Sequence, residues 1–156
     1  MIKWSRILFV GVLLAAASSA AVATAGARSS SAHVSSTATV NLAKTARGWI
    51  LVSSTGFTLY EFTRDKSGKD TCMEVNGCSN VWPALLSTGA PTAGPGVKSS
   101  LLSTITLPGG ASQVTYAGHP LYTYSGDTAP KQTDYVGALE FGGYWFALKR
   151  RGQVVR

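Results

Sequence analysis

The chain has 156 residues, and only 13% of them are charged, against about 25% in an ordinary soluble domain. Lys and Arg number 14 and Asp and Glu number 7, which gives a formal net charge of +7. Only Lys149-Arg150-Arg151 forms a basic cluster, and a nucleic-acid-binding protein needs a larger patch with interleaved aromatic residues. The composition therefore excludes nucleic acid as the partner. We interpret the cluster as a solvated turn before Gly152, with weak attraction to an anionic envelope surface as the alternative.

The first 25 residues have the features of a secretory signal peptide. Lys3 and Arg6 precede an apolar run at residues 7–17 that is short for a membrane span. Ala23-Thr24-Ala25 is a small-x-small cleavage pattern, so we expect cleavage after Ala25. The protein is then secreted or associated with the cell envelope. In the alternative, the segment stays uncleaved and is the protein's one membrane attachment.

Residues 26–46 are mostly Ser, Thr and Ala, which cannot bury enough apolar area to offset the entropy of ordering. They are predicted to form a flexible spacer. Residues 47–156 are predicted to form one small all-β domain of short antiparallel strands, barrel-like or sandwich-like. Two pseudo-equivalent repeats, about residues 48–86 and 110–150, build this domain.

The main evidence for the repeats is a Tyr-x-aromatic-x-x-Asp motif that begins at Tyr60 and again at Tyr122. In the first copy Tyr60 and Phe62 share one face of a strand, while Phe57 and Leu59 share the other. Large residues on both sides predict a strand that is covered on both faces.

The motif ends in Asp65 in the first copy and in Asp127 in the second, each just past its strand. An Asp at such a position can accept hydrogen bonds from backbone N–H groups two residues on, and this is the structural interpretation. In the alternative interpretation the motif tyrosines and aspartates form a recognition or metal pair.

Cys72 and Cys78 are the two cysteines of the chain, and in an exported protein this close spacing predicts one disulfide. The chain-entropy model gives such a small loop roughly 2–2.5 kcal/mol of stabilisation. Redox catalysis prefers Cys-x-x-Cys, and structural zinc requires four ligands, so no metal site and no cofactor are predicted. Trp82 and Trp145 follow their motif tyrosines at nearly the same distance, and both are predicted to be core anchors.

His119 is the one histidine in the predicted domain, and it lies between Gly118 and Pro120. We expect a turn residue that is hydrogen-bonded to the backbone, with a single metal or haem ligand as the alternative. The chain has no Ser-His-Asp pattern, phosphate loop or dinucleotide fingerprint. A set of aromatic residues can form either the core or a groove for a sugar or quinone: Tyr60, Phe62, Tyr116, Tyr122, Tyr124, Tyr144 and Trp145.

Several motifs in order resemble the bacterial secreted-repeat family, which are predicted lipoproteins with the Tyr-x-aromatic-x-x-Asp motif. They are Thr58-Leu59-Tyr60-x-Phe62-x-x-Asp65, Cys72…Cys78-x-x-x-Trp82-Pro83, Gln113-Val114-Thr115-Tyr116-x-Gly118-His119-Pro120-Leu121-Tyr122-x-Tyr124-x-x-Asp127 and Phe141-Gly142-Gly143-x-Trp145. The resemblance implies an exported bacterial protein of unknown function, and it transfers no catalytic residue. No cysteine directly follows the apolar run at residues 7–17, so the lipid attachment of this family is not expected here.

The sequence leaves two classes of function open. The first is a non-enzymatic envelope or extracellular module that binds an unidentified envelope component or small ligand, or is structural. The second is a redox-linked or metal- or haem-binding protein that uses His119 and the motif residues. The candidate ligand contacts are the same in both classes: Tyr60, Asp65, His119, Tyr122 and Asp127.

Overall fold

The computed structural model describes residues 36–66 and 68–156. The predicted signal peptide, its cleavage site and residues 26–35 of the predicted spacer lie outside the described residues. The strands are β1 (Thr39–Thr45), β2 (Gly48–Val52), β3 (Tyr60–Phe62), β4 (Thr92–Ala93), β5 (Leu102–Thr106), β6 (Ser112–Tyr116), β7 (His119–Pro120), β8 (Ala138–Glu140) and β9 (Gly143–Ala147). A one-turn helix, α1 (Cys78–Val81), and two 3₁₀ turns (Cys72–Glu74 and Ser99–Leu101) complete the described elements.

The strands form three small sheets with the orders β2-β1-β4, β3-β9-β8 and β5-β6-β7. Each repeat begins with an antiparallel hairpin, β1–β2 in the first and β5–β6 in the second. The sheets of the described residues pack in a sandwich-like way. The prediction of a small all-β domain built from two repeats is therefore confirmed.

The ordered domain begins earlier than the sequence predicts. Strand β1 pairs with β2 along most of its length, from Asn41 opposite Val52 to Thr45 opposite Gly48. Val40 on this strand is fully buried. Residues 39–45 are thus not a flexible spacer. Backbone hydrogen bonds to β2 and a few small buried side chains suffice to hold them, and composition alone does not reveal this.

Two hydrophobic clusters lie on opposite sides of strand β3. Tyr60 and Phe62 belong to one cluster, while the neighbouring Leu59 belongs to the other. The second motif repeats the arrangement, with Tyr122 in the first cluster and Leu121 in the second. Strand β3 is therefore covered on both faces, as predicted, whereas the Leu121–Tyr122 segment is covered in the same way but pairs only through isolated β-bridges at Tyr122.

The last segment of each repeat pairs with the other repeat. Strand β9 of the second repeat pairs with β3 of the first, while Ala84 of the first repeat forms a β-bridge with Tyr122 of the second. Such reciprocal contacts are those of two units related by an approximate two-fold axis. The exchange places both tryptophans together in the core.

The rings of Trp82 and Trp145 stack at 4.0 Å with an interplanar angle of 2°. Phe62 stacks on Trp145 at 4.1 Å, and Tyr124 packs against Trp82 at 4.5 Å. Both tryptophans are fully buried, so their prediction as core anchors is confirmed.

The predicted disulfide between Cys72 and Cys78 is present, and both residues are buried in the same cluster as the tryptophans. It closes the segment that leads from the first motif to Trp82.

Candidate functional site

The two motif tyrosines meet at the centre of the domain. The backbone N–H of Tyr60 donates to the carbonyl of Tyr122 at 2.9 Å, and the N–H of Tyr122 donates to the carbonyl of Tyr60 at 3.0 Å. Both side chains are fully buried. The pair therefore joins the two repeats at the point where the motifs begin.

Each tyrosine hydroxyl donates to the aspartate of the other repeat. The Tyr122 hydroxyl lies 2.7 Å from Asp65 Oδ2, and the Tyr60 hydroxyl lies 3.2 Å from Asp127 Oδ2. Burial and the charge of the facing carboxylate raise the pKa of both tyrosines above the ordinary value, so both stay protonated. The side chains of four of the five candidate ligand residues are thus hydrogen-bonded to one another in pairs.

The aspartates differ in how completely they are bonded. Asp65 Oδ1 accepts two further hydrogen bonds, from the backbone N–H of Thr71 at 2.8 Å and from its hydroxyl at 2.9 Å. The backbone donor is thus six residues on, not two as predicted, and the donor to Asp127 is a tyrosine. Burial raises the pKa of both carboxyls to about 6, although the hydrogen bonds that they accept lower the pKa.

His119 lies on the short strand β7, and its partner is a carboxylate instead of the predicted backbone group. Its Nδ1 is 3.5 Å from Glu61 Oε2, and the Glu61 side chain is only 6% exposed. The hydrogen bond to Glu61 raises the pKa of His119, while partial burial opposes the rise.

His119 and Asp65 border the same open cleft of about 280 Å³. In the described residues no group of three His, Cys, Asp or Glu side chains converges in a way that could hold a metal ion. Zinc and similar metals bind through three or four converging side chains. The structure therefore brings two candidate residues together at a surface without assembling such a ligand set.

A second surface feature was missed by the sequence analysis. Arg47, Trp49 and the Lys149-Arg150-Arg151 cluster line one open cleft of about 360 Å³. We call these five residues the basic patch. The Trp49 side chain is 57% exposed, and none of the 7 acidic residues of the chain lines the cleft.

The basic patch forms because the two ends of the domain sequence meet in space. The backbone N–H of Leu51 on β2 donates to the carbonyl of Leu148 at 2.8 Å, so the start of β2 lies beside the turn that follows β9. The buried Tyr116 hydroxyl donates to the Arg150 carbonyl at 2.6 Å and fixes that turn. Sequence reasoning found the Lys-Arg-Arg cluster but had no signal for the distant Trp49.

A protein-family model described as a secreted repeat of unknown function matches residues 41–86 and 103–149. The chain belongs to this secreted-repeat family. The matched segments include most of the β1–β2 and β5–β6 hairpins, so each repeat starts earlier than residues 48 and 110. Membership agrees with export from the cell.

No curated protein and no solved structure matches the chain. Nowhere in residues 36–66 and 68–156 is a helix long and apolar enough to cross a membrane.

Proposed function

We propose that this secreted-repeat protein is a non-enzymatic module of the cell envelope that binds an anionic lipid surface through the basic patch. The observation that carries the proposal is an exposed indole, Trp49, surrounded by four cations and by no acidic side chain. Trp combines a large apolar area with a polar N–H, and it is enriched where an apolar phase meets water.

The charges supply reversible binding. A Lys or Arg near an anionic membrane contributes about 1 kcal/mol, and four of them therefore supply about 4 kcal/mol, which corresponds to a dissociation constant of about 1 mM. Ionic screening weakens this attraction as salt is added. Insertion of the exposed Trp49 ring adds a contribution that salt does not screen.

The interior supports a structural module over a catalytic one. The hydroxyls of Tyr60 and Tyr122 are buried and bonded to the carboxylates of Asp127 and Asp65. Their hydrogen-bonding capacity holds the two repeats together, which leaves the surface for recognition.

Co-sedimentation with lipid vesicles tests the proposal. The chain should sediment with vesicles that contain phosphatidylglycerol and remain in solution with vesicles of phosphatidylcholine alone, and high salt should reverse the binding. Arg150→Glu and Trp49→Ser should each reduce the bound fraction several-fold. Lys131→Glu is the matched control because it makes the same change in charge at an exposed residue whose backbone bonds to Gly56, away from the patch.

Equal losses in Arg150→Glu and Lys131→Glu would mean that net charge alone drives the association, and the proposal would then be wrong. Binding to soluble polyphosphate but not to phosphatidylglycerol vesicles would also overturn it, since the patch would then recognise an anionic polymer.

A further inference from the structure

Strand β5 is a sheet edge that no other strand of the described residues covers. Its sheet has the order β5-β6-β7, so β5 has a neighbour on one side only. The corresponding strand of the first repeat, β1, is covered by β4 on its outer side. There the Thr92 N–H donates to the Ala38 carbonyl at 2.8 Å, and the Gly94 N–H donates to the Val40 carbonyl at the same distance. The second repeat thus leaves open an edge that the first repeat closes.

The hydrogen bonds of the β5–β6 hairpin show which residues of β5 bond to β6. Just past the paired strands, the Leu107 N–H donates to the Ala111 carbonyl at 2.8 Å. Bonded pairs alternate with unbonded ones in an antiparallel ladder. Ser103 and Ile105 therefore bond to β6, and the residues between and beside them face away from it.

The residues that direct their backbone groups to the open edge are Leu102, Thr104 and Thr106. The Leu102 N–H donates to the Ser99 carbonyl in the preceding 3₁₀ turn. Among residues 36–66 and 68–156, no hydrogen-bond partner exists for the other outward groups. The edge therefore presents two free donors, the N–H groups of Thr104 and Thr106, and three free carbonyls.

The edge also lacks the usual protection against pairing with another strand. Natural edge strands carry charged residues, prolines or bulges that block such pairing. The sequence of β5 is Leu-Ser-Thr-Ile-Thr, which contains no charged residue and no proline. Two open clefts of about 320 Å³ and 350 Å³ border β5 and share Ile105, so the approach to the strand is not filled by the described residues.

We propose that two copies of this chain associate by antiparallel pairing of their β5 strands about a two-fold axis at Thr104. The Thr104 N–H of each copy then donates to the Thr104 carbonyl of the other. The Thr106 N–H of each copy donates to the Leu102 carbonyl of the other. The resulting four bonds use every free donor of both edges, as expected of an isologous interface.

The match between the edge and its own copy is the argument for a second copy as the occupant. In this register the Leu102 N–H would face the Thr106 carbonyl of the other copy, but it is already bonded to Ser99. No donor is therefore left without an acceptor. The side chains of Ser103 and Ile105 lie opposite each other across the axis, and the absence of charge on β5 means that no like charges meet.

Sedimentation equilibrium and amide exchange of the full chain in lipid-free buffer test the pairing. The mean mass should rise from monomer to dimer with concentration, up to about 1 mM, because interfaces of this small size are weak. Exchange of the Thr104 and Thr106 amides should slow over the same range, while the Ser103 and Ile105 amides, which bond to β6, should exchange equally slowly throughout. Salt should strengthen the dimer by screening the net charge of +7, whereas it weakens binding to anionic vesicles.

Two substitutions at one position separate backbone pairing from side-chain effects. Thr104→Pro removes the N–H at the axis without breaking a bond to β6, and it should weaken the dimer at least about tenfold. Thr104→Val keeps the N–H and the branched shape, so its dissociation constant should stay close to that of the wild type. Near-UV circular dichroism of the stacked tryptophans reports whether each variant is folded. If Thr104→Pro does not fold, Thr104→Lys replaces it, with Ser79→Lys on the exposed side of α1 as the charge-matched control.

A wild-type chain that stays monomeric up to about 1 mM would overturn the proposal. So would a dimer that is as stable in Thr104→Pro as in Thr104→Val, since another surface would then form the contact. Slow exchange of the Thr104 and Thr106 amides in a monomeric sample would also overturn it, because a segment of the same chain would then cover the edge.

Discussion

Removal of one tyrosine hydroxyl at a time tests whether the crossed bonds hold the repeats together. Tyr122→Phe removes a short hydrogen bond of 2.7 Å to Asp65, and Tyr60→Phe removes a longer one of 3.2 Å to Asp127. Hydrogen bonds to charged groups contribute about 1.5–3 kcal/mol, and ordinary ones about 0.5–1.5 kcal/mol. We therefore expect Tyr122→Phe to cost about 2 kcal/mol of unfolding free energy, and Tyr60→Phe about 1 kcal/mol.

Substitution of the aspartates should lower the unfolding free energy in the same order, with a larger loss at Asp65 than at Asp127. Asp65→Ala removes an acceptor of three hydrogen bonds and leaves the Thr71 N–H without its partner, whereas Asp127→Ala removes an acceptor of one. A double-mutant cycle on Tyr122→Phe and Asp65→Asn should show a coupling energy of about 1 kcal/mol or more, because the two residues contact each other directly.

Urea denaturation followed by tryptophan fluorescence measures these differences, and the slope of the transition should stay constant across the series. Additive effects in the cycle would refute the crossed bond. So would a Tyr60→Phe variant that is less stable than Tyr122→Phe, since the two distances would then have no energetic meaning.

Two further predictions concern the pH dependence and the tryptophan pair. Burial raises the pKa of Asp65 and Asp127 from an ordinary 3.8 to about 6 in the fold, so the folded state binds more protons in that window. Their stabilising contribution is full below about pH 4 and is lost as the pH rises through about 6, so the Tm should fall over this range and fall less in Asp127→Asn. Trp82→Phe should cost about 1–3 kcal/mol more than Trp145→Phe in urea denaturation, because Trp82 Nε1 donates to Glu140 at 2.8 Å while Trp145 Nε1 has no partner. Equal costs would contradict this asymmetry.

The sequence predicts the local features of the fold well because they depend on spacing. Alternation around Tyr60 correctly predicts a strand that is covered on both faces, and the close spacing of Cys72 and Cys78 correctly predicts the disulfide. The start of β1 escaped prediction because Thr39–Thr45 gains its stability from a partner strand and not from its own apolar content.

The candidate site was predicted only in part because its contacts cross between repeats. The motif identified the tyrosines and aspartates, but spacing cannot tell whether Asp65 bonds within its own repeat or to Tyr122 of the other. Trp49 carries no local signal, since its cationic neighbours at Lys149 and Arg150 come from the far end of the chain. Contacts of this kind are set by topology, which a single sequence does not display.

The two copies of the repeated motif hold each other in place through direct contacts. Its tyrosine donates to the aspartate of the other copy, and its aspartate accepts from the tyrosine of the other copy. Its central aromatic residue packs on the tryptophan of the other copy, as Phe62 does on Trp145 and Tyr124 on Trp82. All three fixed positions of the motif therefore make contacts across the interface, and Asp65 adds two hydrogen bonds from Thr71 within its own repeat. A single repeat would lose the bond between its tyrosine hydroxyl and the facing carboxylate, and one face of its tryptophan would be uncovered. This explains physically why the motif occurs twice in the chain.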